Sequence, residues 1–237
     1  MVSLADTLLA ACVLRYVGRM LPPTRVVTRA DALVWLAANG VVPGASFITS
    51  LPDLAEMPAV GFEGWRAFFA DATRAVLAST PDDGVAIFFQ SDVRREGFHV
   101  DKGYAVMRAA EGSGHALLFH KVVCRKPPGT VTFGRVGYSH LLAFSKNVRL
   151  QTSLNGADVL PELGEMPWVR AMGVAACEYA VRFVQRQTAS RLIVDPFCGH
   201  GTVLAVANAS GLDAIGVDLS SKRCRKAREL VLGAPPP

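Results

Sequence analysis

The sequence contains no Cys-x-x-Cys pair. Its five cysteines, Cys12, Cys124, Cys177, Cys198 and Cys224, are odd in number and widely scattered. That excludes a disulfide framework and reads as reduced intracellular thiols. The five histidines, His99, His115, His120, His140 and His200, lack ligand spacing, so no metal site is expected. Charge is sparse too, at 19% of residues against 51% hydrophobic, and this balance excludes disorder. A net charge of +5 is compatible with a polyanionic partner and too mild to identify one. No run is long enough to span a bilayer. No internal repeat is present, and the only low-complexity stretch is Pro235-Pro236-Pro237. Residues 1–22 carry Leu4, Leu8, Cys12, Tyr16 and Met20 on a four-residue stripe, with Arg15 and Arg19 off it. This predicts an amphipathic N-terminal helix in a cytoplasmic protein, with an organellar presequence as the alternative.

What is present is an alternation of short apolar runs and helical patterns. Arg25–Thr28, Ala45–Thr49, Val85–Phe89, Leu117–Cys124, Ser139–Ser145, 191–195 and 213–218 read as strands. Helices are expected from Asp31, through Phe62–Val76, over Tyr104–Ala110 and Trp168–Gln185, and over 202–210 and 221–232. The Pro/Gly/Arg-rich stretch from Arg125 to Tyr138 joins two of the strands as a long-looped hairpin. The fold class expected is α/β: a Rossmann-like, seven-stranded, mostly parallel sheet with one antiparallel hairpin strand. It forms a single domain, with 23–150 as the acceptor-site half and 151–237 as the cofactor-binding half.

Chemistry concentrates at Asp195-Pro196-Phe197-Cys198-Gly199-His200-Gly201-Thr202, which follows the apolar run Leu192-Ile193-Val194. Gly199 and Gly201 allow a sharp turn and close backbone approach to a ligand before Thr202 opens a helix. Asp218, at the end of the next apolar run, stands where a carboxylate can grip a ribose diol.

The Asp-Pro-Phe-x-Gly-x-Gly-Thr form resembles the first motif of class I S-adenosylmethionine-dependent methyltransferases. Because it lies near the end of the chain, the resemblance implies a circular permutation. That order is similar to the permuted amino-methyltransferases acting on adenine N6 or cytosine N4. Ala30-Asp31-Ala32-Leu33 looks like that family's opening segment, whose acidic residue lies near the cofactor adenine. Thr49-Ser50-Leu51-Pro52-Asp53 sits where the family has Ser/Asp/Asn-Pro-Pro-aromatic. His120-Lys121, Pro127 and Tyr138–Lys146 look like its last strands, and Ile215-Gly216-Val217-Asp218 like its ribose-binding strand. The chain departs from the family at Leu51 and Asp53, which replace a proline and a base-stacking aromatic. It also has only Leu150 to Pro167 where DNA-modifying members insert a large target-reading domain.

The resemblance implies an enzyme that uses S-adenosyl-L-methionine, held by Asp31, Asp195, Phe197, Gly199, Gly201, Thr202 and Asp218. Acceptor chemistry falls to Ser50, Leu51, Pro52 and Asp53. A Ser50 hydroxyl, a Leu51 carbonyl and an Asp53 carboxylate can take the hydrogens of an exocyclic amine and oppose the delocalisation that weakens it as a nucleophile. The plainer alternative for Asp31 and for Asp53 is a helix cap. Arg94, Arg95 and Lys102, then Arg125, Lys126 and Arg135, with Phe98, Phe133 and Tyr138 interleaved, suggest a rim for unpaired nucleotides, or else a solvated surface. The substrate expected is a base in RNA such as tRNA. DNA on the same scaffold and a non-catalytic methyltransferase-like scaffold are the alternatives. The oligomeric state stays open, a homodimer included.

Overall fold

A computed structural model describes residues 22–151, 153 and 155–233. The N-terminal helix expected before residue 22 lies outside these.

One eight-stranded sheet organises the chain. Its strands are β1 (Arg25–Arg29), β2 (Ala45–Thr49), β3 (Ala86–Gln90), β6 (Ala116–Cys124), β7 (Tyr138–Ser145), β8 (Val159–Leu160), β9 (Leu192–Asp195) and β10 (Asp213–Asp218). They lie in the order β1-β10-β9-β2-β3-β7-β6-β8. From β1 to β3 every pairing is parallel, β7 runs antiparallel to both β3 and β6, and β8 is a short parallel edge on β6. Two further strands, β4 (Val93–Arg95) and β5 (Phe98–Val100), form a separate hairpin. The sequence reading anticipates the first seven of the main sheet. It misses β8 and the β4–β5 hairpin, each only two or three residues long and too short to show an alternation.

Among the described residues six α-helices cover the sheet: α1 (Ala32–Asn39), α2 (Gly61–Ser79), α3 (Lys102–Ala110), α4 (Val174–Gln187), α5 (Thr202–Ala209) and α6 (Ser221–Glu229). The expected helix from Trp168 is a correction: α4 begins at Val174, after Gly173, which stands at φ 88°. A Cβ on Gly173 would meet the Leu163 carbonyl oxygen at 2.3 Å, so the chain turns there against 163 and leaves 168–172 as a loop.

The central strands are apolar throughout because helices pack on both faces. In β3, Ala86 and Phe88 join the cluster with Trp35, Trp65 and Phe69. Ile87 and Phe89 join the opposite cluster, with Val181, Val184 and Leu204. This is the two-residue alternation of a strand expressed inside a fully buried run. None of the helices among the described residues is long and apolar enough to cross a membrane.

The sheet's order reverses direction between β9 and β2. From β9 the chain steps through α5 to β10, away from β2, whereas β2 leads through α2 to β3 on the other side. Loops leaving the carboxyl ends of β9 and β2 therefore diverge, and ligands of open α/β sheets bind in the crevice left at such a point.

Candidate active site

A cavity of about 320 Å³ opens at that crevice, lined from β9 by Asp195 to Gly199, from β10 by Asp218, from the end of β1 by Asp31, and from the end of β2 by Ser50 and Pro52. The two halves of the chain meet directly here. Thr49 at the end of β2 donates its hydroxyl to Asp195 Oδ1 at 2.7 Å, and the Phe197 N–H reaches the same oxygen at 3.1 Å. Asp195 is only 3% exposed. Burial pushes its carboxyl up to about 7, with the Asp218 charge adding to the effect and the two hydrogen bonds opposing it.

The loop after β9 is shaped by its glycines. Gly199 has φ 53°, and a Cβ there would lie 2.6 Å from Trp168, whose ring stacks on His200 with centroids 4.2 Å apart. Gly201 has φ 83° at the N-terminus of α5, and its Cβ would lie 2.8 Å from the Ala227 backbone. Gly201 thus packs behind the loop and does not line the cavity, whereas Thr202 does. Thr202 Oγ1 is buried with no hydrogen-bond partner among the described residues, which leaves a polar atom at the cavity wall for a ligand to satisfy.

Asp218 accepts the Ser220 N–H at 2.8 Å through Oδ1 and faces Arg223 at 3.6 Å through Oδ2. Phe197 packs edge-on to Phe68, giving the cavity an apolar wall with Met57 and Leu33. Asp31 caps α1, accepting from Leu33 and Val34, while still lining the cavity, so the cap does not remove it from the cavity wall. These residues fit a nucleoside sulfonium: an apolar wall for a base, a carboxyl at a strand end for a diol, and buried oxygen acceptors toward a cation.

A smaller cavity, about 60 Å³, adjoins the first and shares Ser50, Glu56, Arg170 and Ala171 with it. Of the expected acceptor residues, Ser50 and Asp53 line it. Leu51 instead buries its side chain in the apolar cluster of Trp35 and Trp65, and the Pro52 carbonyl accepts from Trp65 Nε1 at 3.0 Å. Asp53 caps the short 3-10 turn Leu54–Glu56 through a capping box with Glu56. Its Oδ1 also lies 3.6 Å from the amine of Lys102, a side chain only 4% exposed. Burial lowers the Lys102 pKa, and the charges of Asp53 and Asp92 oppose that.

Behind this cavity lies a buried hub that sequence spacing did not reveal. Asp92, fully buried, accepts from the Lys102 N–H (2.8 Å), His140 (2.9 Å), His99 (3.1 Å) and the Tyr138 hydroxyl (3.1 Å). Burial alone would raise its carboxyl, but the hydrogen bonds from His140, Lys102 and His99 outweigh it and hold it at about 2. His140 continues to His120 at 2.8 Å. Asp92, Asp101 and His140 bring ligand atoms within 4.8 Å of one another, although Asp92 and His140 are already bonded to each other. The fold assembles this group from the segment after β3, from β5, β6 and β7, and from the start of α3, so no local motif announces it.

The six expected substrate contacts separate. Arg125 and Arg135 line the smaller cavity. Arg94, Lys126 and Tyr138 line a different one, where Arg94 is tied to the Thr132 carbonyl. Arg95 pairs with Glu96 and lies over Phe62, 4.7 Å from the ring centroid. Sequence reasoning also missed Glu56, which receives Arg170 at 2.8 Å and Arg223 at 3.0 Å. Nothing in the local pattern marks that bridge, because it joins three separate parts of the chain.

No family model and no curated protein matches the sequence. Solved structures do match in shape. TTHA0409 of Thermus thermophilus, an inferred DNA modification methylase solved with S-adenosyl-L-methionine, superposes with a TM-score of 0.64 at 20% identity, covering 88% of this chain and 92% of that one. The cytosine-N4-specific PvuII DNA methyltransferase gives 0.63 at 14% identity, covering 90% and 91%. M1.HpyAVI gives 0.57 at 15% identity, covering 87% and 98%. At such identities the likeness establishes the fold, a mixed α/β sheet of the methyltransferase type.

Proposed function

We propose that this chain is an S-adenosylmethionine-dependent methyltransferase that transfers a methyl group to an exocyclic amine of a nucleobase, with its sheet order circularly permuted. The observation that carries the reading is the Thr49–Asp195 hydrogen bond, which fixes the ends of β2 and β9 side by side, so that Ser50 opens onto both cavities. The cofactor would be held by Asp31, Asp195, Phe197, Gly199, Thr202 and Asp218, and it supplies an already activated methyl on a sulfonium. The protein's task is then alignment and proton removal. The Ser50 hydroxyl and Leu51 carbonyl accept from the amine. The Asp53 carboxylate, whose Oδ1 lies 3.6 Å from the Lys102 amine, takes the proton directly or through water.

DNA is the favoured acceptor, which reverses the expectation from sequence. The short Leu150–Pro167 connection argues for RNA only if DNA enzymes of this fold are much longer. Yet the chain spans 91% and 92% of two neighbours whose names call them DNA methylases. Incubation with labelled cofactor and, separately, genomic DNA, total RNA and protein extract, followed by nucleoside analysis, tests the reading. Label should enter a methylated base, and Asp53→Ala should lower transfer by about a hundredfold, the scale of a lost proton acceptor, without weakening cofactor binding. Cofactor binding without transfer to any pool points to a non-catalytic scaffold.

A further inference from the structure

The charges around the acceptor cavity do not balance. Of its four cations, Lys102 faces Asp53, and Arg170 is bonded to Glu56. Arg125 and Arg135 have no carboxylate partner among the described residues, and the one side-chain bond Arg125 makes is to the neutral Ser91 hydroxyl at 3.3 Å. The one remaining carboxylate in the wall, Asp92, is already saturated by its own four donors.

The arrangement is built by the backbone. The N–H groups of Arg125 and Lys126 both reach the Gly137 carbonyl, at 2.8 and 3.1 Å, pinching the base of the 125–137 loop. The pinch brings Arg125 on one limb and Arg135 on the other to the same cavity. Burial lowers the Arg125 pKa, and the Arg135 charge lowers it further; the same Arg135 charge acts on Lys102. Two guanidinium groups held together without a counter-charge are repulsive until an anion enters, and their planar forks match a phosphate.

We propose that Arg125 and Arg135 form a phosphate subsite that holds the nucleic-acid backbone beside the target base. This rests on the methyltransferase reading and narrows it to a polynucleotide strand, entering along the 125–137 loop, in preference to a free base or nucleoside. The other basic residues of the rim serve different ends, since Arg94 and Arg95 are already engaged.

The test measures binding of the full chain, with S-adenosyl-L-methionine present, to a labelled single-stranded DNA hexanucleotide of mixed sequence, and to the same hexanucleotide with uncharged methylphosphonate linkages. Wild type should prefer the charged strand. Arg125→Gln and Arg135→Gln should each weaken it by about tenfold, the scale of a lost charge-assisted hydrogen bond, and flatten the salt dependence of binding. Arg125→Lys should fall between, and Lys126→Ala should change affinity by less than about threefold, as expected of an exposed charge. On the uncharged strand, wild type and Arg125→Gln should bind alike. Equal binding of the charged strand by wild type and the glutamine variants overturns the subsite, as does an equal loss on the uncharged strand, which marks a structural role. Inorganic phosphate and a nucleoside 5′-monophosphate serve as competitors: a monophosphate that competes as well as the hexanucleotide, per phosphate, overturns the strand assignment. Transfer by wild type to DNA or RNA with an unchanged KM in the variants sinks the subsite and leaves the methyltransferase reading standing. Arginine-dependent strand binding without transfer to any pool does the reverse.

Discussion

At the scale of single residues, Gly199 and Gly201 do different jobs despite lying two positions apart. Gly199 faces the cavity and meets the indole of Trp168, which can shift; Gly201 meets the backbone of Ala227, which belongs to α6 and cannot. Gly201→Ala adds a left-handed backbone strain to that clash, so it should destabilise the fold by about 2–4 kcal/mol, visible in urea unfolding. Gly199→Ala should lose less stability and more cofactor affinity, because the displaced Trp168 is itself a wall of the cavity. An equal stability loss in both variants, with cofactor affinity retained, would show that the loop is only a turn. Asp53 serves two surroundings as well: the same Oδ1 accepts the Leu54 N–H as a cap and lies beside the Lys102 amine in the wall of the smaller cavity.

At the scale of elements, the sheet's far edge depends on a buried lysine. Lys121, with a side chain only 1% exposed, extends from β6 to Asn155, the Gly156 carbonyl and Asp158 at 3.0–3.2 Å, and lies over the rings of Phe119 and Tyr179. Its three ammonium donors all find acceptors on the segment that becomes β8. Lys121→Met keeps the volume in the core and releases that segment, while the freed Asp158 is already exposed to water. Limited proteolysis should cut near 155–160 faster in the variant, with the thermal midpoint moving by no more than about 4 °C, as for a loss near 1 kcal/mol. An unchanged cleavage pattern would mean that β8 is held by its strand pairing alone. The β4–β5 hairpin is another tertiary product: its Arg94 bonds to the 125–137 loop, so two surface excursions brace each other beside the separate cavity that Arg94 lines.

At the scale of the whole molecule, two carboxyls pull stability in opposite directions with pH. Asp92 is depressed from 3.8 to about 2, so its stabilisation is complete above pH 3.8 and is lost as pH falls toward 2. Asp195 is raised from 3.8 to about 7, so between those values the native state holds a proton that the unfolded chain has released. Stability from this group therefore falls as pH rises across that window, and the cost is complete above about 7. Burial holds His115, His120 and His200 below the usual imidazole value, which acts the other way as pH falls. The difference between Asp195→Asn and wild type removes their contribution. Asparagine keeps an oxygen for Thr49 and Phe197, so the variant should gain stability over wild type at about pH 8 and gain little at about pH 4. Denaturant melts across that range decide it, and a variant less stable than wild type at the alkaline end would mean that Asp195 is ionised against a partner.

The strand and helix order was legible in the sequence because each central element is a short apolar run bounded by turn residues, and burial on both faces requires that composition whatever the neighbours are. The loop Asp195–Thr202 and the carboxylate of Asp218 were legible for a similar reason, since a close backbone approach and a strand-end acid are local properties of the chain. What the sequence left open was every contact between distant segments. Lys102 read as one of a row of surface charges and is buried against Asp53; Asp92 and His140 showed no spacing and share a buried hydrogen-bonded hub; Arg125 and Arg135 stood among six basic residues and, among the described residues, alone face the smaller cavity without an acid. Local sequence determines which elements form, because propensity and hydrophobic period act over a few residues. Which side chains meet at the crevice was decided by the pairing of β2 with β9, which only the folded sheet supplies.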